Sequence, residues 1–190
     1  CGLCLSRSSA EILTARIVSM GPVTLPPDGG RVARYDAGAV PGVYCRSGFM
    51  PQLRLDVITT EERLRALSEP WFGLLGRSGQ NEPTLTPGWV LAWWQVFSGL
   101  GGRALRTCAL WGEDGRLVAV APLLALKRRY RRIVPLQRLE ALCSGEPEAD
   151  EVYSEYIGII AERGLEAEIA EALAAAIVED RLGRVDEVLL

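Results

Sequence analysis

An α/β fold, a mixed β-sheet flanked by helices, is predicted by three observations. Residues 53–58, LRLDVI, alternate apolar and polar side chains as a half-buried strand does. Residues 60–75 and 86–97 carry apolar side chains at helical spacing behind capping residues. Two apolar runs, 105–112 and 115–126, meet through Glu113-Asp114-Gly115, and an Asp-Gly turn between such runs is a β-hairpin signal.

The elements follow in order. Thr60 is an N-cap, with Glu61 and Glu62 placing negative charge where the helix dipole favours it. Leu64, Leu67, Leu74 and Leu75 form the apolar stripe, and Pro70 is expected to kink or divide the helix. In NEPTLTPGWVLAWWQVF (81–97), Thr86 caps the next helix and Pro87 takes its first position, where a missing N–H costs nothing. Leu85 and Val90 are spaced as a hydrophobic staple. Val90, Trp93, Trp94 and Phe97 share one helical face, so core packing accounts for the aromatic stripe and leaves Trp89 at least partly exposed. Gly99, Gly101 and Gly102 end the helix.

After the hairpin and the basic run KRRYRR (127–132), residues 133–144 read as a strand, and SEYIGIIA (154–161) as a further buried strand. Residues 164–183 form an amphipathic helix with Leu165, Ile169, Leu173 and Ile177 on one face, and VDEVLL (185–190) is a last strand. Residues 1–51 are rich in Gly and Pro without sustained periodicity and read as a flexible N-terminal extension to a domain at 52–190. The chain starts at Cys1 and its last strand runs to Leu190, so it reads as part of a longer chain.

Composition removes whole classes of chemistry. There is no histidine, which excludes Ser-His-Asp and Cys-His nucleophiles and His-ligated metals within this segment. Cys1 and Cys4 form a CxxC, but no second pair completes a zinc site, and no metal is expected. Five irregularly spaced cysteines fit reduced thiols in a cytoplasm better than a disulfide scaffold. A net charge of −3 gives no general attraction to nucleic acid or anionic lipid. No run approaches the ~20 apolar residues of a membrane span.

The run 81–97, followed by WGEDGRLVAVAPLLAL and SEYIGIIAERGLEAEIAEAL, resembles the acetyltransferase domain of the CelD (cellulose-biosynthesis) group of the GNAT fold, related to the FemAB transferases. The resemblance covers about residues 53–190. It implies a GNAT-like mixed sheet flanked by helices, as the first or an incomplete unit of a tandem. It also implies transfer of an acyl group from acetyl-CoA to an amine of a sugar, amino acid or envelope precursor; the alternatives are a non-catalytic GNAT-like unit that binds a partner or anionic ligand through 127–132, and a FemAB-like transferase that uses aminoacyl-tRNA. Where a GNAT pyrophosphate loop would stand, IAERGLEAEIA lacks a second glycine, so the coenzyme is expected to be held mainly by sequence beyond Leu190.

Such transfer needs one group to take a proton from the amine and another to protonate the leaving thiolate. Ser154-Glu155-Tyr156 looks like the family's Ser-Asp-Tyr segment, which makes Glu155 and Tyr156 the catalytic candidates; an exposed strand start is the simpler reading. Asn81, Trp89 and Tyr153 are the substrate-facing candidates, although a cap or turn explains Asn81 equally well. Lys127, Arg128, Arg129, Arg131 and Arg132 form a patch for an anionic partner such as a phosphate tail, a nucleotide-sugar or, as a lesser alternative, tRNA. The bland reading of that run is a solvated loop. Cys143, with no base beside it, is read as a packing residue.

Overall fold

The computed structural model describes residues 53–80, 82–131, 133–152 and 154–190. The extension at 1–51 and the candidates Asn81, Arg132 and Tyr153 lie outside the described residues. The chain builds β1 (Arg54–Ile58), α1 (Glu61–Ala66), α2 (Ser68–Ser78) and α3 (Pro87–Phe97). The hairpin region follows as β2 (Ala104–Leu105), β3 (Thr107–Trp111), β4 (Leu117–Ala121), β5 (Leu123–Tyr130) and β6 (Val134–Ala141). The chain closes with β7 (Ile160–Ala161), α4 (Glu166–Val178) and β8 (Glu187–Leu189). The result is a mixed α/β fold with two four-stranded sheets, in the orders β1-β3-β4-β7 and β2-β5-β6-β8.

The helix starts follow local chemistry. Thr60 Oγ1 accepts from Arg63 N at 3.4 Å and Thr86 Oγ1 from Trp89 N at 3.4 Å. The first break is not at Pro70. It falls at Leu67, and Pro70 stands in the first turn of α2, where the absent N–H removes no helical bond. Leu85 and Val90 are both buried in one cluster, as a staple requires. Trp93 and Phe97 are buried, with ring centroids 5.1 Å apart, while Trp89 is half-buried.

The hairpin at 113–115 forms as the sequence predicts. Gly115 N donates to Gly112 O at 3.0 Å, Gly112 N to Arg116 O at 2.9 Å, and Gly115 sits at φ +77°, a conformation glycine adopts without strain. Its two arms are longer than one sheet, however. The run read as a single strand over 115–126 is divided at Pro122, and its partner at Arg106. Proline cannot donate to a ladder, so the regular pattern lapses there and the same hairpin passes from one sheet into the other. Arg106 N to Leu123 O at 2.9 Å and Leu142 N to Pro122 O at 2.8 Å bridge the junction.

Two clusters show the layering. Ala109 and Val120, paired across the ladder, pack with Leu64, Trp71, Leu74 and the α3 face. Their neighbours Cys108, Leu110, Ala119 and Ala121 pack with Ile169, Leu173, Ala176 and Ile177 of α4. Alternation along the strands thus feeds α1–α3 on one side and α4 on the other. Across the gap between layers, Arg77 donates to Glu162 Oε2 (2.9 Å) and to Leu117 O (2.7 Å), tying α2 to β4.

Residues 154–161 do not form the continuous buried strand that their pattern predicts. Only Ile160–Ala161 is strand. Tyr156 has φ +58°, a left-handed turn conformation no strand residue takes, and the polar groups of 154–155 bond to the α3 side instead of a ladder. The helix over 164–183 is also shorter than its pattern. It stops at Val178, and Asp180 (φ +56°) turns the chain before Gly183. The strand at 185–190 forms as β8 and lies parallel to β6, pairing Arg138 with Glu187 and Glu140 with Leu189.

Candidate functional site

The candidate site grows out of one interruption in the sheet. β6 runs beside β5 from Val134, opposite Tyr130, to Ala141, opposite Leu123. β7 then runs beside β4 in the same sense, with Ile160 opposite Val120 and Ala161 opposite Ala119. The two strands share one lane along the long hairpin arm. Between them residues 143–159 leave the lane and return to it, passing along α3.

Both indole donors on that side of α3 fasten this excursion. Trp93 Nε1 donates to Glu146 Oε1, and Trp89 Nε1 donates to Ser154 Oγ at 3.1 Å. Residues 89 and 93 are one turn apart, so the two bonds fix two points along the helix. Thr84 Oγ1 adds a bond to Glu155 O at 2.6 Å, while Val152 and Ile157 pack against the core. The sequence reading of Trp89 as partly exposed fits this role, because an indole that meets a loop cannot also be sealed in the core.

The base of the excursion is polar and crowded. Arg103 lies over the Trp93 ring, with its Cζ 5.2 Å from the centroid, and donates to Phe97 O at 2.9 Å and to Gly145 O. Among the described residues, Arg103 Nε is buried without a partner. Burial, foremost, pulls the Arg103 pKa below its ordinary value, with Arg128 acting the same way and Glu146 and Glu140 opposing. Glu140 is buried and accepts from Arg138 Nη1 at 3.2 Å. Gly145 (φ +72°) is needed twice over: its conformation suits glycine, and a Cβ there would stand 3.1 Å from Glu140 Oε2. Cys143 is buried beside this cluster; burial, and secondarily the charge of Glu146, push its thiol pKa up, which suits a packing residue and not a nucleophile.

The structure therefore brings Trp89, Glu155 and Tyr156 to one end of α3. Glu155 is exposed and Tyr156 is 71% exposed, both on the turn that Trp89 and Thr84 hold. The basic residues lie elsewhere. Lys127, Arg128 and Arg129 are exposed at the far end of β5, and Arg131 is exposed in the turn that follows. Thr84, Glu146 and Arg103 were not signalled by the sequence, and Ser154 only as part of the Ser-Glu-Tyr segment, since each matters through a partner far away in the chain.

The segment 161–169 offers no phosphate cradle. Gly164 N, a donor such a cradle would need, is taken by Glu166 Oε2 at 2.8 Å. The Arg163 guanidinium lies over Gly79, at the C-terminal end of α2, where a cation meets the negative end of the helix dipole. Among the described residues no cluster of three His, Cys, Asp or Glu could hold a metal ion, and no helix is long and apolar enough to cross a membrane. In comparisons with known proteins, no family model, no curated protein and no solved structure matches this chain.

Proposed function

We propose that this chain carries the acceptor-holding part of a cytoplasmic GNAT-type N-acyltransferase, with an amine as acceptor and acetyl-CoA as donor. The observation that carries the reading is the pinned turn at 154–156. It presents a carboxylate and a phenol, both open to solvent, on a support fixed by the Trp89 and Thr84 bonds. A carboxylate there attracts an ammonium group, and it accepts the proton the nitrogen must lose before attack on the thioester. A phenol supplies the proton that the departing thiolate takes up. The CelD and FemAB resemblance of the sequence, with the mixed sheet flanked by helices that it implies, supports this assignment. The coenzyme phosphates are assigned to other sequence, since the α4 N-terminus is occupied by its own Glu166.

Paired ligands test the reading. Amino sugars and amino acids should bind the chain, and their N-acetylated counterparts should bind at least about tenfold more weakly, because the cation that meets Glu155 is gone. Glu155→Gln should erase that discrimination, and Tyr156→Phe should leave it intact. Equal binding of amines and N-acetyl derivatives, or no binding of either, would overturn the proposal. Titration of the chain with acetyl-CoA should show weak binding or none. Micromolar, one-site binding would place the coenzyme in this segment and move the phosphate site.

A further inference from the structure

The end of the β5–β6 hairpin is unlike the rest of the molecule. From residue 124 to 139 the chain has six cations, Lys127, Arg128, Arg129, Arg131, Arg132 and Arg138, and no acid. β2 pairs only with Ala125 and Leu124 of β5, and β8 only with Arg138–Glu140 of β6. Among the described residues the ladder beyond Arg128↔Leu136 is therefore a two-stranded ribbon, about 10 Å long at ~3.3 Å per residue.

Its charges are distributed around the ribbon. Lys127 and Arg129 point to one face and Arg128 to the other, by strand alternation. None of these three forms an ion pair among the described residues. Arg138, nearer the base, is already held by Glu140 and Glu187. Asp186 bonds to Gln137 N and pairs with Arg184. A depression of about 490 Å³ is lined by Arg128, Arg129, Leu136, Arg138, Asp186 and Glu187.

At the tip stands Ile133, 79% exposed. A single exposed apolar residue is ordinary. One placed at the end of a projecting cationic ribbon is the arrangement that a lipid surface selects, with cations at the headgroups and the apolar tip beneath them. A nucleic acid would use the same cations but has no use for an isoleucine, which neither stacks on a base nor meets a phosphate. The rest of the chain is acidic, which turns the hairpin toward an anionic surface and the body away from it.

We infer that the end of the β5–β6 hairpin, through Lys127, Arg128, Arg129 and Ile133, docks the protein on an anionic membrane surface. The inference stands apart from the acyltransferase reading and survives its failure. Flotation with vesicles tests it. The chain should bind phosphatidylcholine vesicles containing about one-third phosphatidylserine, not pure phosphatidylcholine, and release as salt rises from about 0.1 M to 0.5 M. Lys127→Glu/Arg128→Glu/Arg129→Glu should lower vesicle binding by at least about a hundredfold, at roughly fivefold per cation. Ile133→Ser should weaken it about tenfold. All variants should keep the wild-type circular dichroism, because the altered side chains are exposed. An oligouridylate arm separates the partner classes, and inorganic phosphate at millimolar concentration should displace nothing. No binding to the anionic vesicles, or binding that Ile133→Ser leaves unchanged, would overturn the inference. Oligouridylate binding through the same cations with vesicles ignored would assign the patch to nucleic acid.

Discussion

The long hairpin arm 117–130 is one stretch of chain with two natures. Before Pro122 every residue of β4 is buried, and the strand reads LVAVA, apolar on both faces. After Pro122 the apolar run lasts through Leu126, and then three cations in succession stand in solvent. The first half lies between α1–α3 and α4, so any polar side chain there would lose its water without a partner. The second half leaves that sandwich and is free to carry charge. Stability and recognition are thus divided along a single strand, and a proline marks the boundary.

Substitutions on either side should differ accordingly. Val120→Asp places a carboxylate at a fully buried position within an apolar cluster, and should cost several kcal/mol, enough to abolish a cooperative urea transition. Trp93→Ala removes a buried ring together with the bond to Glu146, and should cost about 3–5 kcal/mol. An unchanged unfolding midpoint for either variant would break the division proposed here.

A pH effect belongs to the buried sheet as well, at Cys108 of β3, opposite Ala121 of β4. Burial pushes the Cys108 thiol up to about 12, so the folded state holds its proton above the pH at which the unfolded chain loses it. Stability contributed by the neutral thiol is present below about pH 9 and falls as pH rises toward 12, by up to about 1.4 kcal/mol per pH unit. Urea midpoints measured from pH 8 to pH 10.5 should therefore decline, and Cys108→Ala should decline less steeply. An identical slope in the variant would contradict the assignment. At the small end, Lys127→Ser/Arg129→Ser should change stability by no more than about 0.5 kcal/mol. A larger loss would mean the hairpin end is part of the structural sandwich after all.

How much of this was legible depends on the range of the interaction. Thr60, Thr86-Pro87 and Asp114-Gly115 act on backbone within three or four residues, and the helix starts and the hairpin turn follow from them directly. The lane break between β6 and β7 does not. IGII in 157–160 has the composition of a strand, and only the tertiary bonds from Trp89 and Thr84 turn 154–156 away from the ladder. The same distance hides Glu146 and Ser154, each bonded to a tryptophan more than fifty residues earlier in the chain. The residue types at the proposed acceptor site were readable; the support that fixes them was not. Pro122 was visible, yet a proline within an apolar run signals a lapse in the ladder without saying that a second sheet begins there.

The hold of α3 on the excursion between β6 and β7, through the indole donors of Trp89 and Trp93, is what places the candidate site. Trp89→Phe tests it, keeping a ring in place and removing the bond to Ser154, at a cost of about 1 kcal/mol. Amide hydrogen exchange should then quicken in residues 150–158 while β4, at 117–121, keeps its protection. Unchanged exchange across 150–158, or faster exchange spread evenly over β4 and the excursion, would contradict the account.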